Sequence, residues 1–465
     1  MDIATEQVQL LIQFINLRLR YILRRFEVDR AVFFGLLTRA WGLCSGPVTA
    51  ILIATNFTPE LQGFYYTFAT ILALQIFVEL GLGTVIVQFA SHEWSKLDLN
   101  ESGSLVGDRA ALSRLISIAD IAKKWYSVGG ILATIGLGIG GYIFFSTSPD
   151  DGVSWVLPWF FLCMITGISI CLVPIWSLLE GCNQVTRLYT FRFFQGALIS
   201  ITVWIAIIAG AGLWTAFISG IAGLCCSLFF LKRQYWLFLG TLLLSKPDGQ
   251  KIRWHTDMLP MQWRIALSWI SGYFVFSLFT PVLFKYHGAV IAGQFGMTWT
   301  LIGAVSMIAG SWLAPKIPQF GMLIAQKNYQ KLDFSLWRIT RIIIGISALL
   351  AVAIWSFVLI LNILDFSIAD RFASRLLPPL PTGIFLFAQL IVVTSLPFSA
   401  YLRAHKKEPL MFLSVISGIL IGFSAFYLGK LYSVMGMAVG YLILNVILIP
   451  VVFLIWRRCR REWHV

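Results

Sequence analysis

Two charged residues stand inside long apolar segments near the start of the chain. Glu79 lies within ALQIFVELGLGTVIVQFASHE (residues 73–93), and Arg39 lies in the apolar segment before it. A charged side chain at membrane depth is costly, so it is retained for structure or for function. At the rise of an α-helix, Arg39 lies about 13 Å from Arg30, and Glu79 lies roughly 16–20 Å from the inner end of its own helix. We therefore predict that Arg39 and Glu79 lie at similar depth on antiparallel neighbours.

The two side chains are predicted to form an ion pair or to share a water-filled cavity. Gly35, Gly42 and Gly46 fall on the Arg39 side of its helix and leave space there, and Gln75 shares a helical stripe with Glu79. An ion pair keeps both groups charged where either alone would be costly. Such a pair either holds two helices together or takes part in transport, and the sequence leaves both readings open.

The composition places these residues in a membrane. The chain has 465 residues, of which 58% are hydrophobic and 12% are charged. Soluble domains carry about 25% charged residues, so this chain has too few to cover a soluble surface. The apolar runs are long enough to span a membrane and do not alternate with polar residues, so they predict helices rather than β-strands. A spanning segment must satisfy its backbone hydrogen bonds internally, and a helix does so within one segment. The fold class is an all-α polytopic membrane protein.

Charges and turn residues divide the chain into twelve predicted transmembrane helices. Their spans are 31–55, 63–91, 122–146, 153–179, 189–209, 212–232, 263–284, 290–315, 339–362, 381–402, 409–428 and 434–456. If both termini are cytoplasmic, thirty of the 35 lysines and arginines fall on the inner side, as the positive-inside rule requires. The net charge of +14 then reflects orientation, and no nucleic-acid partner is expected.

The same division predicts the domain organisation. An interfacial amphipathic helix is predicted for residues 1–30. It is followed by a six-helix bundle at 31–233, a cytoplasmic linker at 234–262, a second six-helix bundle at 263–456 and a basic cytoplasmic tail at 457–465. The bundles share a weak repeat, because Arg30 and Arg264 each precede a proline, Pro47 and Pro281, by 17 residues. The repeat also aligns Gly63 with Gly293, and two equivalent bundles around a midplane cavity are a common transporter plan.

Several other residues are candidates for the cavity. Arg30 and Arg264 stand at the predicted inner mouths of the bundles, where they collect an anionic group or simply anchor the topology. Tyr66 could supply an aromatic stacking surface or belong to an aromatic belt. Gln294 and Thr298 either line the cavity or bond between helices.

No enzyme site is predicted. The sequence lacks G-x-x-x-x-G-K-[ST], H-E-x-x-H and G-x-S-x-G, and its five histidines are scattered. The seven cysteines contain no C-x-x-C pair, so we predict neither a disulfide framework nor a metal site. No cofactor is expected beyond a coupling cation, H⁺ or Na⁺, for which Glu79 is the protonation candidate.

Two stretches carry a family resemblance. TPELQGFYYTF (58–68) and ALQIFVELGL (73–82) resemble the polysaccharide-transport branch of the multidrug/oligosaccharidyl-lipid/polysaccharide (MOP) flippase superfamily. The resemblance is local to helices 1 and 2, together with the twelve-helix plan and RLISIADIAKKWY before helix 3. It covers Glu79 but not Arg39.

The resemblance implies a flippase that works by alternating access in the bacterial inner membrane. Its substrate would be an undecaprenyl-diphosphate-linked oligosaccharide for surface polysaccharide. The implied partners are membrane lipids, the polysaccharide polymerase and the chain-length machinery. An arginine side chain binds phosphate groups well, so Arg39 could hold the diphosphate of such a substrate. The alternatives are an ion-coupled multidrug exporter of the same superfold and a membrane sugar polymerase or glycosyltransferase, although the short outer loops leave little room for a catalytic domain.

Overall fold

The chain folds almost entirely into long apolar helices. The computed structural model describes residues 30–100, 104–148, 152–364, 366–405 and 407–464. Ten helices in this part of the chain are long and apolar enough to cross a membrane, or eleven if one bent pair counts as a span. The protein is therefore a multi-pass membrane protein. The interfacial helix predicted for residues 1–30 lies outside the described residues except for Arg30.

The described part of the first half contains eight α-helices and one hairpin. They are α1 (Arg30–Asn56), α2 (Pro59–Leu72), α3 (Ile76–Glu79), α4 (Leu82–Trp94), β1 (Leu97–Leu99), β2 (Leu105–Gly107), α5 (Arg109–Ser146), α6 (Val156–Gly181), α7 (Val185–Ile208) and α8 (Trp214–Leu244). The short strands are antiparallel. Asp108 caps α5 by accepting a hydrogen bond from the Ala110 amide at 3.1 Å, which satisfies a free donor of the first turn.

The described residues of the second half form eight more α-helices. They are α9 (Leu259–Phe276), α10 (Phe279–His287), α11 (Ala289–Leu313), α12 (Ile317–Ala325), α13 (Tyr329–Ile363), α14 (Ser367–Ala373), α15 (Pro379–Ala404) and α16 (Met411–Trp463). The bend between α9 and α10 is 41°. It begins at Ser277, four residues before Pro281. In a continuous helix the proline ring would clash with the carbonyl of Ser277. In contrast, α1 continues as one helix through Pro47.

The 53-residue α16 is a helical hairpin. Its backbone leaves the helical region at Ser433 (φ 54°, ψ −145°). On either side the two arms pack closely, since a Cβ at Gly436 would lie 2.5 Å from the Leu428 carbonyl oxygen. The predicted spans 409–428 and 434–456 both fall on this element. The total of twelve spans and the cytoplasmic position of both termini stay predictions.

The two halves of the chain pack against each other backbone to backbone. A Cβ on Gly293 of α11 would lie 2.8 Å from the Gly63 amide nitrogen of α2. Glycine at both positions allows this approach, which any side chain would block. The two glycines that the sequence repeat aligns are thus in direct contact, at the end of the helices predicted to face outward.

At the opposite end, the segment between α8 and α9 is bound to the first half. The Arg114 guanidinium bonds to the Glu93 carboxylate at 2.7 Å and to the Gln250 side chain at 2.5 Å. The Ile252 amide donates to the Ser117 hydroxyl at 3.0 Å. The predicted linker 234–262 is partly helical, because α8 continues to Leu244 after a kink at Tyr235. The predicted domain boundaries stay predictions.

A polar cluster joins the predicted inner ends of α13, α15 and α16. Arg460 donates to the Asp333 carboxylate at 2.8 Å, and the Tyr401 hydroxyl donates to the same carboxylate at 3.1 Å. Tyr401 also contacts a ring nitrogen of His464 at 3.1 Å, and His464 lies 3.4 Å from His405. Burial lowers the pKa of both histidines, and neighbouring Lys407 lowers that of His405 further.

We expect Gly293→Ala to destabilise the protein. The new methyl group must push α2 and α11 apart, and overpacking of this kind costs about 1–3 kcal/mol. Gly303→Ala is the matched control, because it lies on the same helix with no atom within 4 Å of its Cβ position. Thermal unfolding in detergent compares the two variants, and an equal effect at both positions would contradict the close contact.

We also expect stability to fall as the pH drops below about 6.5, the ordinary histidine pKa. Below that pH the histidines of the unfolded chain bind protons, whereas the buried histidines of the folded protein stay neutral. The stabilisation present above that pH is therefore lost as the pH falls toward the lowered histidine pKa values of the folded protein. This loss of stability can be measured as a fall in the unfolding temperature, recorded from about one pH unit above the ordinary histidine pKa to about one unit below it. The His405→Gln/His464→Gln double variant should show a flatter profile; an unchanged slope would exclude the cluster as its source.

Candidate functional site

The second membrane passage is broken next to its acidic residue. The sequence predicts one helix over 63–91, but the helix narrows to a 3₁₀ turn at Ala73–Gln75 and ends at Glu79. Leu80 (φ 44°) and Gly81 (φ 68°) are both left-handed, and α4 begins after them. Ile265 of α9 occupies the space that a Cβ on Gly81 would need. Broken helices within the membrane are common at transporter ion and substrate sites.

The break is held by an indole from α5. Trp125 donates a hydrogen bond of 2.9 Å to the carbonyl of Val78, whose usual partner in a helix, the amide of residue 82, lies beyond the break. Trp125 in turn packs against Trp254, with ring centres 5.4 Å apart. Trp254 precedes α9, so the connection between the two halves touches the residue that stabilises the break.

Glu79 and Arg39 do not form the predicted ion pair. Arg39 is exposed, and its guanidinium donates a long 3.4 Å hydrogen bond to the Gly310 carbonyl of α11. Glu79 is half-buried, and among the described ion pairs none joins it to Arg39. The reason is helix placement, because α1 packs on α7 and α11, whereas α3 packs on α5 and α9. A cavity shared by the two groups stays a prediction.

The predicted outer end of the interface is closed by a buried polar seal. The side-chain amide of Gln62 donates to the Gly293 carbonyl at 2.9 Å and to the Arg375 carbonyl at 3.0 Å. Arg375 donates to the Phe57 carbonyl. The exposed fraction is 1% for Gln62 and 9% for Arg375, so water is largely excluded there. Leu377, two residues beyond Arg375, donates its amide to Thr298.

The remaining predicted site residues are dispersed. Thr298 is fully buried in the outer seal, so it does not line an open cavity. Gln294 donates to the Ser374 carbonyl at 3.0 Å beside the same seal. Tyr66 packs on α11 at Gly296, and Gln75 lies in the 3₁₀ turn before Glu79. These positions support interhelical packing for Thr298, Gln294 and Tyr66.

The two predicted mouth arginines differ in their surroundings. Arg30 lines a cavity of about 750 Å³ inside the first half, between α1, α7 and α8. Arg264 is exposed, and its guanidinium lies 5.6 Å from the ring centre of neighbouring Trp263. The two side chains that the sequence repeat aligns therefore have different neighbours in the structure.

Sequence reasoning missed Trp125, Trp254, Gln62 and Arg375. The glycines of ELGLG beside Glu79 were a signal for the break, because glycine adopts left-handed backbone readily. Trp125 gave no local signal, since a tryptophan near a membrane interface is usually a belt residue. Arg375 lies in the predicted outer loop between the spans 339–362 and 381–402, and its burial depends on contacts with residues distant in sequence.

We expect Trp125→Phe to destabilise the protein. The variant keeps an aromatic ring but leaves the Val78 carbonyl without its indole donor, which costs about 1–3 kcal/mol for a buried polar group. Trp236→Phe is the control, since Trp236 is 68% exposed on α8. Thermal unfolding of both purified variants measures the difference; equal unfolding temperatures would show that the indole does not support the break.

Comparisons with known proteins identify the architecture. No protein-family model matches the sequence, and no curated protein matches it. Solved structures do match. One is a multidrug resistance MATE family transporter of the MOP superfamily in an inward-facing conformation, with a TM-score of 0.65, 13% identity and coverage of 90% of this chain and 95% of that one.

Two further structures agree along nearly the whole chain. The MATE multidrug transporter DinF-BH, solved as a complex, gives a TM-score of 0.60 at 12% identity and covers 96% of this chain and 97% of its own. A MOP superfamily transporter from Pyrococcus furiosus, described as having reverse polarity of its binding pocket, gives 0.55 at 14% identity, with 95% and 98% covered. The chain therefore has the fold of MOP superfamily transporters, and two of these three structural neighbours are described as MATE transporters.

Proposed function

We propose that this protein is an ion-coupled exporter of organic solutes that works by alternating access in a bacterial inner membrane. The observation that carries this proposal is Glu79 at the break of the second membrane passage. Of the described aspartates and glutamates, it is the one that falls inside a predicted span, 63–91. A carboxylate beside interrupted helix backbone suits the reversible binding of H⁺ or Na⁺.

The contacts between the halves support alternating access. The outer seal and the Gly63–Gly293 contact close the predicted outer end, while the linker holds the opposite end through Gln250 and Ile252. Movement of one half against the other would open the seal and displace α9 at Gly81, next to Glu79. The MATE neighbours are described as multidrug transporters, which favours an organic solute as cargo.

A second candidate function is the flipping of lipid-linked oligosaccharides. Arg39 favours it, because this exposed guanidinium lies within α1 and reaches α11 across the two halves. A planar guanidinium grips phosphate oxygens well and would repel an organic cation. The resemblance of residues 58–68 and 73–82 to polysaccharide flippases points the same way, and the polymerase and chain-length machinery would then be its partners.

Transport in proteoliposomes tests the proposed function. With ethidium, a fluorescent organic cation, as cargo and an imposed proton or sodium gradient, wild type should move the dye. Glu79→Gln should lower the coupled rate at least about tenfold, as expected for loss of an essential proton carrier. Asp248→Asn, which removes an exposed linker carboxylate, is the matched control. Gradient-driven transport that survives in Glu79→Gln would contradict the coupling role.

A second arm distinguishes the cargo. The same vesicles receive a labelled undecaprenyl-diphosphate oligosaccharide, and exchange between leaflets is measured for wild type and Arg39→Ala. Exchange that depends on Arg39, without movement of ethidium, would replace the exporter with the flippase. Movement of neither cargo would contradict both candidates.

A further inference from the structure

The cavity beside Arg30 has the composition of an anionic lipid site. It is an open cavity of about 750 Å³ between α1, α7 and α8, and its described lining includes an arginine from each of these helices, namely Arg30, Arg187 and Arg233. No acidic residue is among the described residues that line it. The carboxylate of Glu180, on α6, is engaged by Arg192 at 3.5 Å. Arg187 and Arg233 thus give the described lining its positive charge, and none of the described lining residues is acidic.

The rest of the lining is aromatic. Phe191 and Phe230 are stacked with ring centres 4.2 Å apart, which builds a rigid apolar wall. Phe194 and Phe229, which also line the cavity, are 60% and 67% exposed and face outward from the helices. Arginines beside exposed phenylalanines match a ligand with a charged head and hydrocarbon chains.

The position agrees with this ligand. Positive-inside topology puts the Arg30 end of α1 at the cytoplasmic interface, where phospholipid headgroups lie. Basic pockets between membrane helices on this side bind anionic headgroups, and a guanidinium suits phosphate because it can donate two parallel hydrogen bonds. The hydroxyl of Thr190 and the amide of Gln234 in the same lining are further candidate donors.

We propose that this cavity binds the phosphate headgroup of one anionic phospholipid from the inner leaflet, with its acyl chains along Phe194 and Phe229. The site lies within the first half and is separate from Glu79, Arg39 and the outer seal. The proposal therefore does not depend on the choice between the two candidate cargoes.

Native mass spectrometry of the full chain in detergent tests this site. Titration with phosphatidylglycerol should show one lipid bound more tightly than phosphatidylcholine. Arg187→Gln and Arg233→Gln should each weaken that binding about fivefold, the contribution of one basic residue near an anionic lipid. Arg338→Gln, at an exposed arginine of α13 outside the cavity, should leave it unchanged.

Further variants and ligands decide between the outcomes. Phe194→Glu places a negative charge at the exposed side of the cavity and should also weaken phosphatidylglycerol binding, and unfolding temperatures in phosphatidylcholine confirm that each variant is folded. Equal binding of the two lipids, or an equal loss in Arg338→Gln, would overturn the proposal. If glycerol 3-phosphate or inorganic phosphate binds as tightly as phosphatidylglycerol, the site takes soluble phosphate and the lipid assignment is wrong.

Discussion

A membrane-spanning segment must satisfy every backbone polar group without water, and the structure around Glu79 follows from this constraint. Ending α3 at Glu79 separates the Val78 carbonyl from its helical donor, and Trp125 supplies a replacement. Left-handed backbone at Leu80, which lacks the freedom of glycine, costs of order 1–3 kcal/mol. That strain is tolerated because α5 and α9 pack on both sides of the break.

The two halves of the chain are connected differently at their two ends. At the predicted outer end they meet through glycine backbone and the Gln62–Arg375 seal, with little side-chain interlocking between α2 and α11 at Gly63 and Gly293. At the inner end a covalent segment lies on α5 through hydrogen bonds and the ring contact of Trp254 with Trp125. The segment that connects the two halves thus contacts Trp125, the residue that holds the break beside Glu79.

The architecture was largely predictable, because hydrophobic length and the distribution of lysine and arginine act locally along the chain. These signals placed about half of the helices within a few residues of their observed bounds, whereas α5, α8 and α13 extend well beyond the predicted spans at their inner ends. The site was less predictable. Depth along a helix can be read from spacing, but the direction of a side chain around the bundle depends on which helices pack together, and for that reason Arg39 reaches Gly310 rather than Glu79. The repeat aligns Gly63 with Gly293, and the structure brings these two positions into contact because neither carries a side chain.

The seal at Arg375 has a consequence for energetics. Its Nε and Nη1 atoms, and the Oε1 atom of Gln62, have no hydrogen-bond partner among the described residues. Entry of water into this region would hydrate these atoms. This hydration would offset the loss of the hydrogen bonds to the carbonyls of Phe57 and Gly293. These unpaired atoms therefore reduce the net free energy by which the seal stabilises the closed arrangement. In the alternating-access cycle proposed above, a smaller stabilisation of the closed state means that a smaller difference in cargo affinity between the two states suffices to shift their populations.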